Sequence, residues 1–173
     1  MTNHLRRLVL ALAASSFLGL LNPAYAQATP SATEMVEQLK AQPPRTRSLR
    51  NLTVESAAPD ANPSLSLLIQ FDFNSSTVKP ESQQALANLA QALKSKELLG
   101  SKFAVEGHTD AKGSADYNLK LSQQRADAVR SFLVSNGVMD ARLAAVGKGS
   151  TELANSADPL AAENRRVRIV NLN

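Results

Sequence analysis

The sequence predicts an α/β domain, an α+β sandwich in which one mixed sheet carries helices on one face in the order β-α-β-α-β-(α)-β. Two observations support this fold class. Beyond residue 63, short segments with alternating apolar residues are interleaved with longer segments that have apolar residues at helical spacing. Residues that begin or end helices separate these segments. The domain is therefore expected to span residues 64–173, which is long enough for one modest hydrophobic core.

Residues 1–26 have the pattern of an export signal. Arg6 and Arg7 precede an uncharged run over residues 8–21, and residues 24–26 read Ala-Tyr-Ala, the small-x-small pattern of a signal peptidase site. The alternative is an uncleaved membrane anchor, but the run is shorter than the ~20 residues that a helix needs to span a bilayer. We therefore expect a signal peptide over residues 1–26 and no transmembrane segment in the mature chain.

The overall composition excludes several function classes. The chain has no cysteine, so we expect neither disulfides nor a thiol for a lipid anchor. The formal net charge is +4, and removal of Arg6 and Arg7 with the signal leaves +2. Such a small excess does not indicate a nucleic-acid partner.

Residues 27–63 have the composition of a flexible, proline-rich linker. They contain no glycine and no aromatic residue, and they hold five of the eight prolines of the chain. One short amphipathic segment, "EMVEQLKA", places Met35, Val36 and Leu39 on one side, and the arginine-rich "PPRTRSLR" follows it. Two interpretations stay open for this region: a solvated tail, or a segment that docks on a protein partner or an anionic surface.

The first half of the domain predicts a strand followed by a helix. The strand covers residues 64–73, and its alternation leaves Leu68 on a second, partly buried face. The helix covers residues 79–96, with Pro80 in its first turn and Glu81 near the positive end of its dipole. The apolar residues that define the two elements are Leu65, Leu67, Ile69, Phe71 and Phe73 in the strand, and Leu86, Leu89, Ala90 and Leu93 in the helix.

The second half predicts a strand over residues 101–109, a long helix and two further strands. Ser114 can cap the long helix, and Gly137 can end it in the C′ position. A short strand is expected over residues 142–149, and an irregular connection containing Pro159 follows. The last strand is expected over residues 164–172. Its inward residues are Val167 and Ile169, and those of the 101–109 strand are Phe103 and Val105.

The stretch "GHTDAKGSADYNLKLSQQRADAV", residues 107–129, contains the candidate binding residues. Asp110 follows the second strand, and Arg125 lies fifteen positions later in the long helix. If the two face one cleft, they offer a carboxylate for an ammonium group and a guanidinium for a carboxylate, which matches an amino-acid zwitterion. The alternative is structural, with Asp110 accepting backbone hydrogen bonds and Arg125 pairing with an acid on the helix surface.

No enzymatic or metal-binding pattern stands out. One histidine, His108, and no cysteine in the mature region are too few for a zinc or copper site, so we expect His108 to be hydrogen-bonded or exposed. There is no nucleophile elbow, phosphate-binding glycine loop or pair of catalytic carboxylates. The sequence therefore predicts a protein that is not an enzyme, with no cofactor and no metal.

Four ordered motifs carry a family resemblance. They are "FDFNSSTVKPES", "VEGHTDAKGSADYNLKLSQQRADAVRSFLVSNGV", "LAAVGKGSTELA" and "ENRRVRI", which lie between residues 71 and 169, and the resemblance extends over about residues 64–173. These motifs resemble the OmpA-like C-terminal domain, the peptidoglycan-binding module of OmpA, Pal and MotB. The resemblance implies a periplasmic protein of a Gram-negative cell envelope, associated with the outer membrane or the cell wall. It also implies non-covalent recognition of diaminopimelate in the peptidoglycan stem peptide.

The resemblance also assigns roles to individual residues. Asp110 would hold the diaminopimelate ammonium group and Arg125 its carboxylate. Phe73 and Asn74 would form the rim of the pocket, and Leu121 would line its wall. Supporting roles fall on Thr109 and Asn118, which would shape the loop and the helix start, and on Arg165 and Arg166 of the "NRR" motif, with a role in folding or glycan contact.

Two departures from the family pattern bear on these assignments. Asn74 stands where many members have an aspartate, so one ligand contact would be neutral here. Lys148 replaces the common aromatic residue in the "GxG" turn and is expected at the surface. The leading hypothesis is a non-catalytic peptidoglycan-binding protein that links or stabilises the envelope. The alternative is a periplasmic adaptor whose segment 27–63 docks a protein partner of an envelope complex.

Overall fold

The computed structural model describes residues 29–40, 62–72 and 74–173. The predicted signal peptide, most of the predicted linker and the rim residue Phe73 lie outside these ranges. None of the helices in the described ranges has both the length and the hydropathy needed to cross a membrane.

One mixed, four-stranded sheet organises the described part of the chain. Its strands are β1 (Ser64–Leu67), β2 (Phe103–His108), β3 (Leu143–Gly149) and β4 (Val167–Asn171). Their spatial order is β1-β4-β2-β3, with β2 parallel to β3 and with β4 antiparallel to both β1 and β2. The predicted mixed sheet is confirmed.

The first strand is shorter than the sequence predicts. Pairing with β4 ends at Leu67, and the chain beyond it makes only an isolated bridge between Phe71 and Val78. The Leu68 side chain is 52% exposed, so the prediction that it lies on a partly buried face is wrong. The alternation itself holds, because Leu67 and Ile69 are buried and Leu68 between them is exposed. The error lies in the expectation that the second face of this segment is partly covered.

Three α-helices lie along the described chain: α1 (Ala32–Leu39), α2 (Pro80–Leu93) and α3 (Ala115–Ser135). The predicted ends of α3 are confirmed in detail. The Ser114 hydroxyl accepts a hydrogen bond from the Tyr117 amide, and Gly137 has a φ of 88°, the left-handed conformation of a C′ residue. Short 3₁₀ turns cover Asp140–Arg142 and Ala162–Asn164.

Helix α1 lies in the region that the sequence assigns to a linker, but it packs into the domain core. Met35 and Leu39 have no exposed surface, and they belong to the same apolar cluster as the residues of α2 and the sheet. A capping box between Ser31 and Glu34 begins the helix. At its end, the Asn171 side chain of β4 donates a hydrogen bond to the Leu39 carbonyl at 2.9 Å. The amphipathic stripe therefore faces this domain itself.

Helix α3 approaches the sheet closely because glycines face it. A Cβ on Gly107 would lie 2.2 Å from the Ser122 carbonyl oxygen, and one on Gly147 would lie 2.6 Å from the Gln123 amide nitrogen. Only glycine leaves room for the helix backbone at such distances. This contact brings the middle of α3 close to the ends of β2 and β3.

Candidate functional site

Asp110 lies in the loop directly after β2, where neighbouring segments hold it in place. The Thr109 amide donates to the Gly149 carbonyl, and the side-chain amide of Asn118 donates to the carbonyls of Asp110 and Lys112 at 3.3 and 3.1 Å. Both Thr109 and Asn118 are buried. These hydrogen bonds connect the loop to β3 and to the first turn of α3, so the position of the Asp110 carboxylate depends on both elements.

The Asp110 carboxylate already has two partners. Its Oδ1 accepts a hydrogen bond from the Lys112 amide at 3.2 Å, and its Oδ2 lies 2.9 Å from Nη1 of Arg165. The Asp110 side chain is 16% exposed, whereas that of Arg165 is 48% exposed. Each carboxylate oxygen has a further lone pair, so the group can still accept from a ligand on its open side.

Arg125 extends from the middle of α3 and stacks on an aromatic ring. Its guanidinium carbon lies 4.8 Å from the centroid of Phe71, and its Nε donates to the Ser75 carbonyl at 3.2 Å. No carboxylate of the described residues lies within salt-bridge distance of this guanidinium. Burial lowers the pKa of Arg125 from its ordinary value, with Tyr117 and Asp110 opposing the shift and Arg165 adding to it. An incoming carboxylate would replace the lost hydration.

The two charges face one cavity of about 820 Å³ and do not pair directly with each other. Five further residues assigned from the sequence line the same cavity, namely Asn74, Thr109, Asn118, Leu121 and Arg165. Arg166 does not line it, because its Nη2 donates to the Glu152 carbonyl beside a different cluster. Phe73 lies outside the described residues.

Asn74 closes one side of this cavity through a contact with α3. Its φ of 52° is left-handed, a conformation that asparagine tolerates better than most residues. The Tyr117 hydroxyl donates a short hydrogen bond to the Asn74 side-chain oxygen. The neutral side chain of Asn74 is therefore hydrogen-bonded within the protein, and Tyr117 connects it to the start of α3.

Sequence reasoning missed several lining residues. Phe71 was assigned to the inward face of a strand, and Tyr117, in the first turn of the long helix, was given no role. Leu160 belongs to the irregular connection, where no periodicity was available. The set of missed lining residues is Phe71, Asp72, Lys112, Gly113, Tyr117 and Leu160. The sequence did offer one signal, the aromatic Tyr117 close to the charged loop that contains Asp110. Its side chain is exposed in the structure, and exposed apolar side chains are typical of binding surfaces.

A second cluster surrounds His108 on β2. The imidazole is 1% exposed, and neither of its nitrogens has a hydrogen-bond partner among the described residues, so the expectation that His108 is hydrogen-bonded or exposed is wrong. Burial lowers the pKa of His108 to about 4, and the charge of Arg166 contributes to the shift. The sequence could not predict the burial of His108, because alternation along β2 gives no information about which segments cover each face of the sheet.

The His108 cluster also contains two carboxylates. Ligand atoms of Glu106, His108 and Glu152 lie within 4.8 Å of one another, a grouping that could hold a metal ion. Lys148 lies 3.5 Å from Glu106 and 2.8 Å from Glu152, and Arg168 also approaches both carboxylates. A metal would have to displace these cations, so the cluster is better described as a charge network. Lys148, which the sequence placed at the surface, is part of that network.

Comparison with known sequences gives matches over the domain. A model of the OmpA family matches residues 70–167, which is more than half of the chain. Outer membrane protein A of Serratia marcescens is 44% identical over 84 residues, which is 49% of this chain and 23% of that protein. The peptidoglycan-associated lipoprotein of Pseudomonas aeruginosa is 40% identical over 101 residues, 57% of this chain and 58% of the lipoprotein. The chain thus spans less than two thirds of these relatives' length.

Solved structures agree with the sequence matches. The peptidoglycan-associated lipoprotein from Burkholderia pseudomallei is 37% identical, with a TM-score of 0.52 over 61% of this chain and 88% of that one. The periplasmic domain of Helicobacter pylori MotB shares the fold, with a TM-score of 0.57 over 66% of this chain and 78% of that one at 22% identity. The names of these relatives are those of envelope proteins and not of enzymes, in agreement with the non-catalytic interpretation.

Proposed function

Because the chain belongs to the OmpA family, we propose that its domain binds peptidoglycan without covalent chemistry and recognises the diaminopimelate residue of the stem peptide. The protein would be exported by residues 1–26 and would act in the periplasm, where it links or stabilises the envelope. Residues 64–173 would form the binding domain, with α1 docked on it. Two relatives that carry the name peptidoglycan-associated lipoprotein support this ligand.

One observation carries the proposal more than any other. Arg125 and Asp110 line the same cavity, and Arg125 has no carboxylate partner among the described residues. Diaminopimelate in a stem peptide has a free ammonium group and a free carboxylate on the same carbon. Arg125 can bind the carboxylate in bidentate fashion, while the ammonium group can donate to Asp110.

The pair between Asp110 and Arg165 shapes how the ligand binds. Arg165 occupies one oxygen of the carboxylate before any ligand arrives, so the ammonium group must share Asp110 or displace Arg165. Arg165 is half exposed and can reorient at modest cost in free energy. We therefore expect moderate affinity from the single binding site.

Cosedimentation with purified sacculi tests the proposal. Asp110→Asn keeps the size of the side chain and removes its charge, and Arg125→Gln removes the charged guanidinium with a shorter polar side chain, so each should weaken binding by about tenfold or more. Asp127→Asn and Lys120→Gln remove the same charges from exposed positions of α3 and should bind like the wild type. If the Asp110 and Arg125 variants remain folded and bind sacculi undiminished, the proposal fails.

The alternative adaptor function has less support. Its docking surface was the apolar side of the segment that contains Met35 and Leu39, and both side chains are fully buried against the domain. A partner that used this face would first have to detach α1 from α2 and the sheet. Deleting residues 27–63 should therefore affect domain stability, whereas an adaptor tail should be removable without such an effect.

A further inference from the structure

A second, smaller cavity of about 390 Å³ adjoins the larger one. The two cavities share three lining residues, Phe71, Arg125 and Arg165. The other residues that line the smaller cavity are Leu68, Ile69, Gln70 and Ala162. Because the two cavities share both arginines, a ligand held at Asp110 and Arg125 has a direct route from one cavity into the other.

The two cavities differ in the charges of the residues that line them. The larger cavity is lined by two carboxylates, Asp72 and Asp110, as well as by basic residues. The smaller cavity is lined by Arg125 and Arg165 and by no acidic residue. Two guanidinium groups on one wall repel each other, and this repulsion contributes to the lowered pKa of Arg125. An anion between them would relieve that repulsion.

The remaining lining favours a small apolar group next to the anion. Leu68 is a large exposed apolar side chain at this cavity, and Ala162 presents only a methyl group. The guanidinium of Arg125 stacks on the Phe71 ring, so one wall of the cavity combines a flat cationic group with an apolar ring. A carboxylate attached to a carbon with a small alkyl side chain satisfies both features, and the C-terminal residue of a short peptide has this chemistry.

We infer that the smaller cavity is a second carboxylate subsite, which takes the free C-terminal carboxylate of the small apolar residue that follows the zwitterionic residue in the ligand. Arg165 is the main donor of this subsite, and Arg125 is shared between the two subsites. The inference rests on the proposed function, because the larger cavity must hold the zwitterion for the smaller one to receive the next residue. The domain then prefers peptides with a free C-terminus over cross-linked or capped ones.

Calorimetric titration with two synthetic stem peptides tests this inference. Both contain diaminopimelate followed by one alanine, and they differ only in a C-terminal carboxylate or carboxamide. The wild-type protein should bind the carboxylate peptide about tenfold more tightly, because a charge-assisted hydrogen bond to a guanidinium is lost in the amide. Equal affinity for the two peptides would overturn the inference and leave the proposed function in place.

A matched pair of variants tests the location of the subsite. Leu68 lines the smaller cavity and not the larger one, and its side chain is 52% exposed, so polar substitutions there should not disturb the fold. Leu68→Asp places a negative charge beside the arginines and should abolish the preference for the carboxylate peptide. Leu68→Asn introduces a side chain of the same shape as aspartate but without its charge, so this variant should keep the preference for the carboxylate peptide. If the two variants behave alike, the carboxylate does not bind here.

The same titrations separate the inference from the function on which it depends. If neither peptide binds to the wild-type protein, diaminopimelate recognition itself fails, and the inference fails with it. If both peptides bind and Arg125→Gln weakens both, the function stands, and the ratio between the two peptides alone decides the subsite. Circular dichroism of each variant confirms that lost binding does not reflect unfolding.

Discussion

Replacing Leu39 by alanine tests whether helix α1 belongs to the domain. The Leu39 side chain has no exposed surface and belongs to the main apolar cluster, and its carbonyl accepts a hydrogen bond from Asn171. Truncation of a fully buried leucine to alanine costs about 3 kcal/mol of unfolding free energy, since transfer and cavity contributions add. For a domain of this size, the melting temperature should fall by about 10 °C or more.

Urea unfolding followed by circular dichroism measures this change, and Gln38→Ala is the matched control. Gln38 lies next to Leu39 on the same helix, but its side chain is exposed, so its replacement should change stability by less than about 0.5 kcal/mol. If Leu39→Ala is no more destabilising than Gln38→Ala, helix α1 does not pack on the domain in solution. The interpretation of residues 27–63 as a wholly flexible linker would then be restored.

Two further predictions concern the sheet. Gly107→Ala should destabilise the domain by about 3 kcal/mol or more, because the added Cβ would lie 2.2 Å from the Ser122 carbonyl oxygen. Gly100→Ala is the control: a Cβ there meets nothing within 4 Å, so the midpoint of urea unfolding should hardly change. His108 has a pKa of about 4 in the fold against an ordinary 6.5, so the unfolded chain binds its proton first as pH falls. Above pH 6.5, the pKa of the unfolded state, His108 is neutral in both states and does not reduce the free energy of unfolding. As the pH falls from there to the folded pKa of about 4, the free energy of unfolding decreases by about 3 kcal/mol. Urea unfolding at pH 7 and pH 4.5 should show a larger loss for wild type than for His108→Gln, and equal losses would contradict the burial of a neutral imidazole.

Local signals explain how much of the fold was predictable. The cap of α3 needs only Ser114 and the Tyr117 amide, three residues apart, and its end needs only the left-handed Gly137. The inward residues Phe103 and Val105 of β2 and Val167 and Ile169 of β4 are buried as the alternation predicts, but both faces of β2 are covered, which the alternation does not reveal. These features depend on neighbours in sequence, and the structure confirms them together with the order of the elements.

Long-range packing explains what the sequence did not provide. The apolar stripe of α1 was visible, but the proline content around it favoured a linker. Nothing local indicates that the Asn171 side chain donates a hydrogen bond to the last carbonyl of this helix, that of Leu39. The isolated imidazole of His108 is a similar case. Its surroundings come from β3, β4 and the loop that contains Glu152, so the strand pattern alone could not reveal its burial.

The candidate site shows both kinds of information. Asp110 and Arg125 were selected by their place in family motifs, and the structure places both on one cavity. The pair of Asp110 with Arg165 joins residues 55 positions apart, and the stack of Arg125 on Phe71 crosses from α3 to the segment after β1. Neither contact follows from spacing, because each depends on how two separate elements pack.

The central claim, that Arg125 recognises the carboxylate of diaminopimelate, is tested most directly by a ligand that lacks this group. Lysine is diaminopimelate without the side-chain carboxylate, so two otherwise identical stem peptides can be titrated into the wild-type protein and Arg125→Gln. The wild-type protein should prefer the diaminopimelate peptide by about tenfold or more, and Arg125→Gln should bind the two peptides equally. A wild-type protein without this preference, or a variant that retains it, would show that Arg125 does not recognise the diaminopimelate carboxylate.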